Sequence, residues 1–392
     1  MYAIKRELKL NKKQTSLMRG CAGFKRLVYN FGLSMVCVSW SFESVKMFDS
    51  KRIDVIRKVF TSSAIEQPEN AWMKQYPSTI YQSAFINLKD AFARWRKGLS
   101  GFPQFKSKKK GDSFTVYKTS GVYPEKGQPA LPFTNRAVIN VGKRIKLPSM
   151  PELRLKEKID FICSSQTFTV SRSADKWFVA FVLDAEKIPP IIHPVEKIGV
   201  DLGVKTLATC SDGSTFDMPI STKIAKTKLS KIQWHNRKKV IGNRKKGIKT
   251  SNNARKAFDL IARKHSRIAN TRQDTTQKMT TKISRKAFVI RIEDLNVSGM
   301  LANHKLARAV SNNCFYEIRR QLIYKQSHYG TKVEIVDRWY PSSKTCSKCG
   351  HVQAIPLSQR IFDCEKCDHI QDRDENAAIN LELAPLDKIR LA

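Results

Sequence analysis

The chain has 392 residues, with 72 Lys or Arg against 34 Asp or Glu, a formal net charge of +38. A chain of this length can form roughly two to four structural units, and its 41% of hydrophobic residues can form at least one sizeable core. So large a positive excess, spread along the chain, predicts a polyanionic partner, most commonly nucleic acid. We find no run of about 18 apolar residues and no N-terminal signal segment, so we expect no membrane role.

Three kinds of pattern follow one another in the first half of the chain. Residues 1–10 predict a strand, and residues 11–102 predict helices, one of them capped by Ser78. From about 103 to 190 the pattern changes to short alternating runs interrupted by Gly, Pro, Ser and Asp, which predicts a small β-barrel or sandwich. Three prolines within 186–197 then indicate a linker.

The second half predicts strands that alternate with helices. Strand 197–202 begins a hairpin, and the long basic segment 222–284 ends in an amphipathic helix. Residues 287–293 predict a buried strand that ends in carboxylates. A single helix is then expected to end at Gly330, and a last helix is expected to begin near Arg373.

Four of the nine cysteines form two C-x-x-C pairs, Cys346 with Cys349 and Cys364 with Cys367. Four thiolates on two tight turns can close a tetrahedral Zn²⁺ site with no open position, so we expect the zinc to be structural. Two redox dithiols or an iron–sulfur site remain as alternatives. The scattered cysteines are expected to be small buried hydrophobes in a reducing compartment: Cys21, Cys37, Cys163, Cys210 and Cys314.

Three carboxylates from distant segments are candidates for metal chemistry. Asp201 lies in an apolar strand and Glu293 ends another, where a carboxylate is unfavourable unless it is paired or metal-bound. Asp372 and Glu375 suit a capping box on the last helix, which leaves Asp374 as the chemical candidate. This order fits a ribonuclease-H-like layout, in which the three acids converge and bind Mg²⁺ for phosphodiester chemistry. Each acid alone is also compatible with a strand or helix end that meets solvent or an arginine.

The segments "GVDLGVKTLATCSDG", "VIRIEDLNVSGM", "YPSSKTCSKCG" and "CEKCDHIQDRDENAAINL" closely resemble the RuvC motifs and zinc ribbon of the TnpB family. TnpB proteins are transposon-encoded, RNA-guided DNA endonucleases related to compact type V CRISPR effector nucleases. Further upstream, "GFPQFKSKKKGDSF" and "FTVSRSADKWFVAFVLD" are similar to strands of the family's wedge domain. The resemblance therefore covers most of the chain.

The resemblance implies a multi-domain α+β protein. A ribonuclease-H-like RuvC domain with an inserted zinc ribbon would follow a β-barrel wedge domain that carries an inserted helical recognition lobe. The expected boundaries are 1–10 and 103–190 for the wedge domain, 11–102 for the recognition lobe, 191–345 and 371–392 for the RuvC-like domain, and 346–370 for the zinc ribbon.

The resemblance also implies the site residues and partners. The family's catalytic triad falls on Asp201, Glu293 and Asp374 as Mg²⁺ ligands, and its zinc ligands fall on the four paired cysteines. The partners would be a guide RNA and a double-stranded DNA target with a short adjacent motif, bound by a monomer or weak oligomer. We expect a cytoplasmic prokaryotic protein that is nucleoid-associated when bound to DNA.

Three other functions can be compared with this one. A non-cleaving RNA-guided DNA-binding repressor, known from one branch of the family, would lack catalytic carboxylates, whereas this triad is intact. A ribonuclease-H-like transposase or strand transferase uses three carboxylates as well, but the zinc ribbon and the barrel-like first half argue against it. A non-enzymatic zinc-ribbon module for nucleic-acid binding leaves Asp201 and Glu293 unexplained.

Overall fold

The computed structural model describes residues 2–41, 49–108, 111–118, 137–183, 192–242, 247–304, 307–356 and 359–392. The chain divides into two compact units, Met1–Ala185 and Glu186–Ala392. The first unit spans the residues predicted to form the wedge strands and the helical lobe, and the second contains the candidate site. The boundaries of the four domains stay predictions, and half of the predicted linker, residues 186–191, lies outside the described residues. Among the described helices, none combines the length and the apolar character needed to cross a membrane.

The helices of the first unit are α1 (Lys12–Ser41), α2 (Asp49–Val59) and α3 (Ser78–Arg96). A short π-helical turn, Phe60–Ala64, and a 3₁₀ segment, Pro68–Gln75, lie between α2 and α3. The predicted Ser78 cap is wrong, because Ser78 is already the first helical residue of α3. The residue outside the helix is Pro77, with φ −53° and ψ 133°, and it offers no side-chain cap.

The strands of the first unit are β1 (Tyr2–Lys9), β2 (Ser113–Tyr117), β3 (Ala137–Ile139), β4 (Gly142–Lys146), β5 (Glu152–Ile159), β6 (Cys163–Ser165), β7 (Thr167–Ser173) and β8 (Lys176–Leu183). Six of them form an antiparallel sheet in the order β2-β7-β8-β1-β5-β4, and β3 pairs with β6. Alternate residues such as Phe168 and Val170 are buried, in a core shared with α1 and α3. Among the described pairings β2 and β4 are edges, so closure into a barrel stays a prediction.

The strands of the second unit are β9 (Val195–Asp201), β10 (Ala208–Cys210), β11 (Thr215–Phe216), β12 (Ala287–Glu293), β13 (Lys332–Val336), β14 (Ile361–Asp363), β15 (Ile370–Asp372) and β16 (Ile389–Leu391). The main sheet has the order β11-β10-β9-β12-β13-β16, in which β9, β12 and β13 are parallel. β14 and β15 form a separate hairpin. Sequence analysis missed β16, because three residues are too few to show an alternating pattern.

The helices of the second unit are α4 (Ile220–His235), α5 (Asn252–Lys286), α6 (Val297–Ala302), α7 (Ala307–Asn313), α8 (Phe315–Tyr329) and α9 (Arg373–Leu383). The single helix predicted to end at Gly330 is wrong, because left-handed torsion angles at Cys314 (φ 56°) separate α7 from α8. The break places the Asn313 amide against the carbonyls of Gly203 and Val204, at 2.9 and 3.0 Å. Gly330 does end α8, with φ 69°.

The last helix, α9, lies on one face of the main sheet. The isoleucines on either side of Arg291 in β12 join the apolar core with residues of α5 and α8, whereas Arg291 faces the other way because strand residues alternate. Its Nη1 donates to the carbonyls of Glu382 and Ala384, at 2.6 and 2.8 Å, and its Nε pairs with Glu334 of β13 at 2.8 Å. The C-terminal end of α9 is therefore fixed by a buried ion pair.

Gly199 lets α9 approach the backbone of β9 directly. It pairs in register with Arg291 and so lies on the same face of the sheet. A Cβ at Gly199 would lie 2.0 Å from the Ala378 carbonyl oxygen and 2.6 Å from the Glu382 nitrogen, both in the helix backbone. No side chain fits at this position unless the helix moves.

We therefore expect Gly199→Ala to destabilise the protein by about 3 kcal/mol or more, the upper range for overpacking a tight contact. Chemical unfolding followed by circular dichroism measures this change. Gly101→Ala is the matched control, because a Cβ there meets nothing within 4 Å, and its effect should stay within about 0.5 kcal/mol. Equal unfolding midpoints for the two variants would contradict the direct contact between helix and strand.

Candidate active site and metal centre

Asp201 and Glu293 end two neighbouring parallel strands. Asp201 lies two residues after Gly199, and Glu293 lies two residues after Arg291, the partner of Gly199 in the neighbouring strand. Because side chains alternate along a strand, both carboxylates lie on the sheet face that α9 covers. In open sheets with parallel strands, ligands bind outside the carboxyl ends of the strands. The first turn of α9 brings Asp374 to the same edge.

One cleft, with a volume of about 590 Å³, is lined by all three carboxylates. Its wall also contains five cationic side chains, Lys205, Arg338, Lys344, Arg360 and Arg373. Sequence analysis did not single out these cations, because they come from separate segments and no spacing relates them. The cleft thus combines a cluster of carboxylates with cationic side chains that attract a phosphodiester.

Burial and mutual repulsion act together on the carboxylates. Burial raises the pKa of Asp201 to about 7, and the charges of Asp374 and Glu293 contribute to that rise. Burial also raises the pKa of Glu293, with a further contribution from its neighbour Asp294. A divalent cation relieves such repulsion, and carboxylate oxygens are ligands that Mg²⁺ accepts.

The adjacent acids of α9 have different surroundings. Oδ1 of Asp372 accepts hydrogen bonds from the backbone N–H groups of Asp374 and Glu375, at 2.9 and 3.2 Å, so Asp372 is the helix N-cap. The Asp374 carboxylate lies in the cleft instead, 3.4 Å from Arg373 Nη2 and 3.9 Å from Arg360 Nη1. Asp372 therefore caps the helix, and Asp374 faces the cleft.

Asp294 is a structural acid to which sequence analysis assigned no role. Its carboxylate accepts hydrogen bonds from Arg319 at 2.6 Å and from Arg338 and Arg390 at 2.7 Å. Burial acts to raise its pKa, but the hydrogen bonds from Arg338 and Arg319 outweigh burial and lower it. Asp294 therefore stays ionised and holds Arg338 at the cleft wall.

The four paired cysteines come together in one cluster. Their Sγ atoms lie within 4.8 Å of one another, with Cys346–Cys367 at 3.7 Å and Cys349–Cys364 at 3.6 Å. A tetrahedral ion with Zn–S bonds of about 2.3 Å gives S···S distances of about 3.8 Å. Both close pairs join different C-x-x-C turns, which suits one shared ion better than two separate dithiols. The cluster could therefore hold zinc.

The predicted burial of the scattered cysteines holds only in part. Cys21 and Cys210 are buried, whereas Cys37, Cys163 and Cys314 are only half-buried.

Two asparagines of α9 connect the cysteine cluster to the carboxylate cleft. The fully buried Asn376 donates to the Thr345 carbonyl at 2.8 Å and accepts from the Ser347 N–H at 2.9 Å. Asn380 donates to the carbonyls of Thr345 and Ser342, at 2.6 and 2.8 Å. Sequence analysis missed both residues, although two asparagines four apart on a buried helix face were a usable signal.

Two family models match this part of the chain. The model described as "Probable transposase" matches residues 180–304, which include Asp201 and Glu293. The model described as "Cas12f1-like, TNB domain" matches residues 315–381, which include the four cysteines and Asp374.

Curated relatives extend the match over most of the chain. A "Putative RNA-guided DNA endonuclease" from Streptomyces pristinaespiralis is 31% identical over 93% of this chain and 84% of its own length. The chain belongs to the TnpB family. "Putative RNA-guided DNA endonuclease InsQ" from Escherichia coli (strain K12) is also 31% identical to this TnpB protein, over 80% of the chain and 76% of InsQ.

A solved structure has the same fold. Cas12f1 in a cryo-EM complex with sgRNA and target DNA matches with a TM-score of 0.56, over 95% of this chain and 83% of that chain, at 16% identity. Of the predicted multi-domain α+β fold for this TnpB protein, the coarse part, a mixture of helices and sheets as in the Cas12f1 structure, is therefore confirmed.

We expect the purified TnpB protein to contain about one zinc ion per chain, and Cys364→Ser to remove it. Replacing one thiolate leaves an incomplete ligand set, and structural zinc contributes directly to folding. Metal analysis by mass spectrometry measures the zinc content. Cys37→Ser is the control and should keep its zinc. Freshly purified wild-type protein without zinc would contradict the assignment.

For TnpB protein dialysed free of Mg²⁺, we expect Asp201→Asn to be more stable than the wild type at pH 8 but nearly equal to it at pH 4. The pKa of Asp201 is about 7 in the folded protein, so the unfolded chain, with an Asp pKa of about 3.9, releases this proton first. Wild-type stability therefore falls relative to the variant as pH rises from 4 to 7, by up to about 4 kcal/mol. Denaturant unfolding at several pH values tests this, and a constant difference would contradict it.

Proposed function

We propose that this protein is an RNA-guided DNA endonuclease that hydrolyses phosphodiester bonds of a double-stranded target beside a short transposon-adjacent motif. The observation that carries the proposal is the cleft that Asp201, Glu293 and Asp374, from three distant segments, line together with five cationic side chains. The names of the curated relatives support the guide RNA and the DNA target.

In the proposed mechanism, Asp201, Glu293 and Asp374 hold Mg²⁺. The bound metal would supply an activated water and stabilise the leaving oxygen of an in-line displacement. The chain's own residues do the remaining work. Lys205, Lys344 and Arg360 attract the substrate's phosphates to the cleft. Burial leaves Asp201 and Glu293 poorly solvated, so their ionised forms are favoured when a metal ion is bound.

The proposed partners follow from the family. The guide RNA would read the target by base pairing, while basic surfaces hold the nucleic-acid backbones. We propose that residues 1–10 and 103–190 act as the wedge domain, 11–102 as the recognition lobe, 191–345 and 371–392 as the RuvC-like nuclease domain, and 346–370 as the zinc ribbon.

DNA strand transfer is the second candidate function, favoured by the description "Probable transposase" of one matching model. Ribonuclease-H-like transposases use three carboxylates as well, but a DNA 3′-hydroxyl attacks in place of water. The products distinguish the two reactions, because hydrolysis releases free ends and transfer joins strands.

We expect Asp201→Ala, Glu293→Ala and Asp374→Ala each to abolish DNA cleavage while guide and target binding stay nearly intact. Binding depends on cationic surfaces and base pairing, whereas each carboxylate serves the metal, so its loss removes no phosphate contact. Cleavage of a matched target with guide RNA and Mg²⁺, and then with a chelator, measures activity, and a gel-shift assay measures binding.

Asp372→Ala is the matched control in the same acidic segment. It should cost about 1 kcal/mol of stability as a lost helix cap and reduce cleavage only partly. An inactive Asp372→Ala beside a fully active Asp374→Ala would reverse the assignment of the two acids. Cleavage by all four variants would refute the proposed nuclease function.

A further inference from the structure

Two exposed aromatic side chains line adjoining cavities at Glu293. Trp339 is 85% exposed and lines the carboxylate cleft. Tyr316 is 68% exposed and lines a second cavity of about 300 Å³. Leu202, Glu293 and Arg338 line both cavities, so Glu293 belongs to the wall that they share.

Both rings are carried on well-anchored backbone. Asp337 accepts hydrogen bonds from the N–H of Trp339 at its carboxylate (2.7 Å) and from the N–H of Tyr340 at its carbonyl (3.0 Å). Tyr340 then packs against the apolar cluster between β13 and α9. Tyr316 follows the buried Phe315 at the start of α8. Each exposed ring therefore has an anchored aromatic beside it, which fixes its position at low entropic cost.

The faces of these two rings are available for a ligand. Within the described residues, neither ring stacks on another aromatic ring or on a cation. The exposed Trp234 differs, since Arg237 covers its ring at 3.9 Å. A single exposed aromatic is ordinary. Here two exposed rings border the same carboxylate, and Arg338 lines both of their cavities. This arrangement suits an extended ligand that has flat apolar groups and negative charge.

We infer that Trp339 and Tyr316 are stacking platforms for unpaired DNA bases on either side of the scissile phosphate. This inference rests on the proposed function, because it assigns two side chains that would position the DNA strand in the carboxylate cleft. In a duplex the base faces are covered by neighbouring base pairs, so two platforms require a single strand. Stacking accepts every base, which suits a site that reads no sequence itself.

Single-turnover cleavage with guide RNA and Mg²⁺ tests the platforms. We expect Trp339→Ala and Tyr316→Ala each to slow cleavage by roughly five-fold to a hundred-fold, the range that stacking of one base supplies. Trp339→Phe and Tyr316→Phe should retain most of the rate, because an aromatic face remains. Trp339→Leu should be as slow as Trp339→Ala, because an aliphatic side chain fills space without stacking.

A set of targets with one abasic nucleotide, moved stepwise across the cleavage site, identifies the stacked base. At the platform position the abasic nucleotide should slow the wild type but add nothing to Trp339→Ala, since the same contact is already lost. At positions far from the platform, the rate reductions caused by the abasic nucleotide and by Trp339→Ala should multiply. The Mg²⁺ concentration that gives half-maximal rate should be unchanged in the variants, because the rings bind substrate and not metal.

The possible failures are distinct. If the guided wild-type protein cuts no target, the proposed nuclease function itself fails. If the wild type cuts and both alanine variants cut at its rate, the platforms are refuted while the nuclease stands. The platforms are also refuted if the rate reductions from Trp339→Ala and from the abasic nucleotide multiply at every position. They are refuted as well if Trp339→Ala raises the Mg²⁺ concentration needed for half-maximal rate.

Discussion

The docking of α9 on the main sheet is the contact on which the geometry of the second unit depends. The helix is capped by Asp372, tied to the first cysteine turn by Asn376, seated on β9 at Gly199, and fixed at its end by Arg291. Arg291 is buried, which is costly for a charge unless it is paired and hydrogen-bonded; Glu334 and two carbonyls meet that need. Because α9 carries Asp374 and the strands carry the other two acids, this one contact sets the relative positions of the carboxylates.

Two adjacent acids, Glu293 at the end of β12 and Asp294 directly after it, show how position decides the role of a carboxylate. Asp294 has three arginine partners, and its pKa is lowered despite burial. Glu293 precedes it and faces the cleft, where burial and the neighbouring Asp294 raise its pKa. One acid therefore stays paired with arginine, while the other gains most from a cation supplied from outside. Beside the carboxylate cleft, three arginines thus neutralise the structural acid Asp294.

Sequence analysis succeeded where the determining contacts are local. The cysteine spacing, the Asp372 cap, the end of α8 at Gly330 and the apolar strand ending at Glu293 all depend on residues close together in the chain. Apart from the Ser78 cap, which its neighbour Pro77 decides, the main failures of sequence analysis lie where distant residues decide the outcome. The lack of space for a side chain at Gly199 is due to the backbone of α9. The helix break at Cys314 accompanies a hydrogen bond from Asn313 to a loop about 110 residues earlier. The cations of the cleft wall could not be predicted either, since only folding brings their segments together.

The position of the cysteine cluster in the chain has a physical consequence for the cleft. The segment between β13 and α9 supplies Trp339, Lys344 and Arg360 to the cleft wall. Among its described residues, its own apolar cluster consists mainly of Phe362 and the cysteines themselves. So small a core cannot hold a segment of this length in one conformation, and a metal bound by four thiolates can supply the missing stability. The hydrogen bonds of Asn376 and Asn380 then transmit that order to α9. A structural ion at the cysteines would thereby order the cleft wall and the helix that presents Asp374, without taking part in the chemistry.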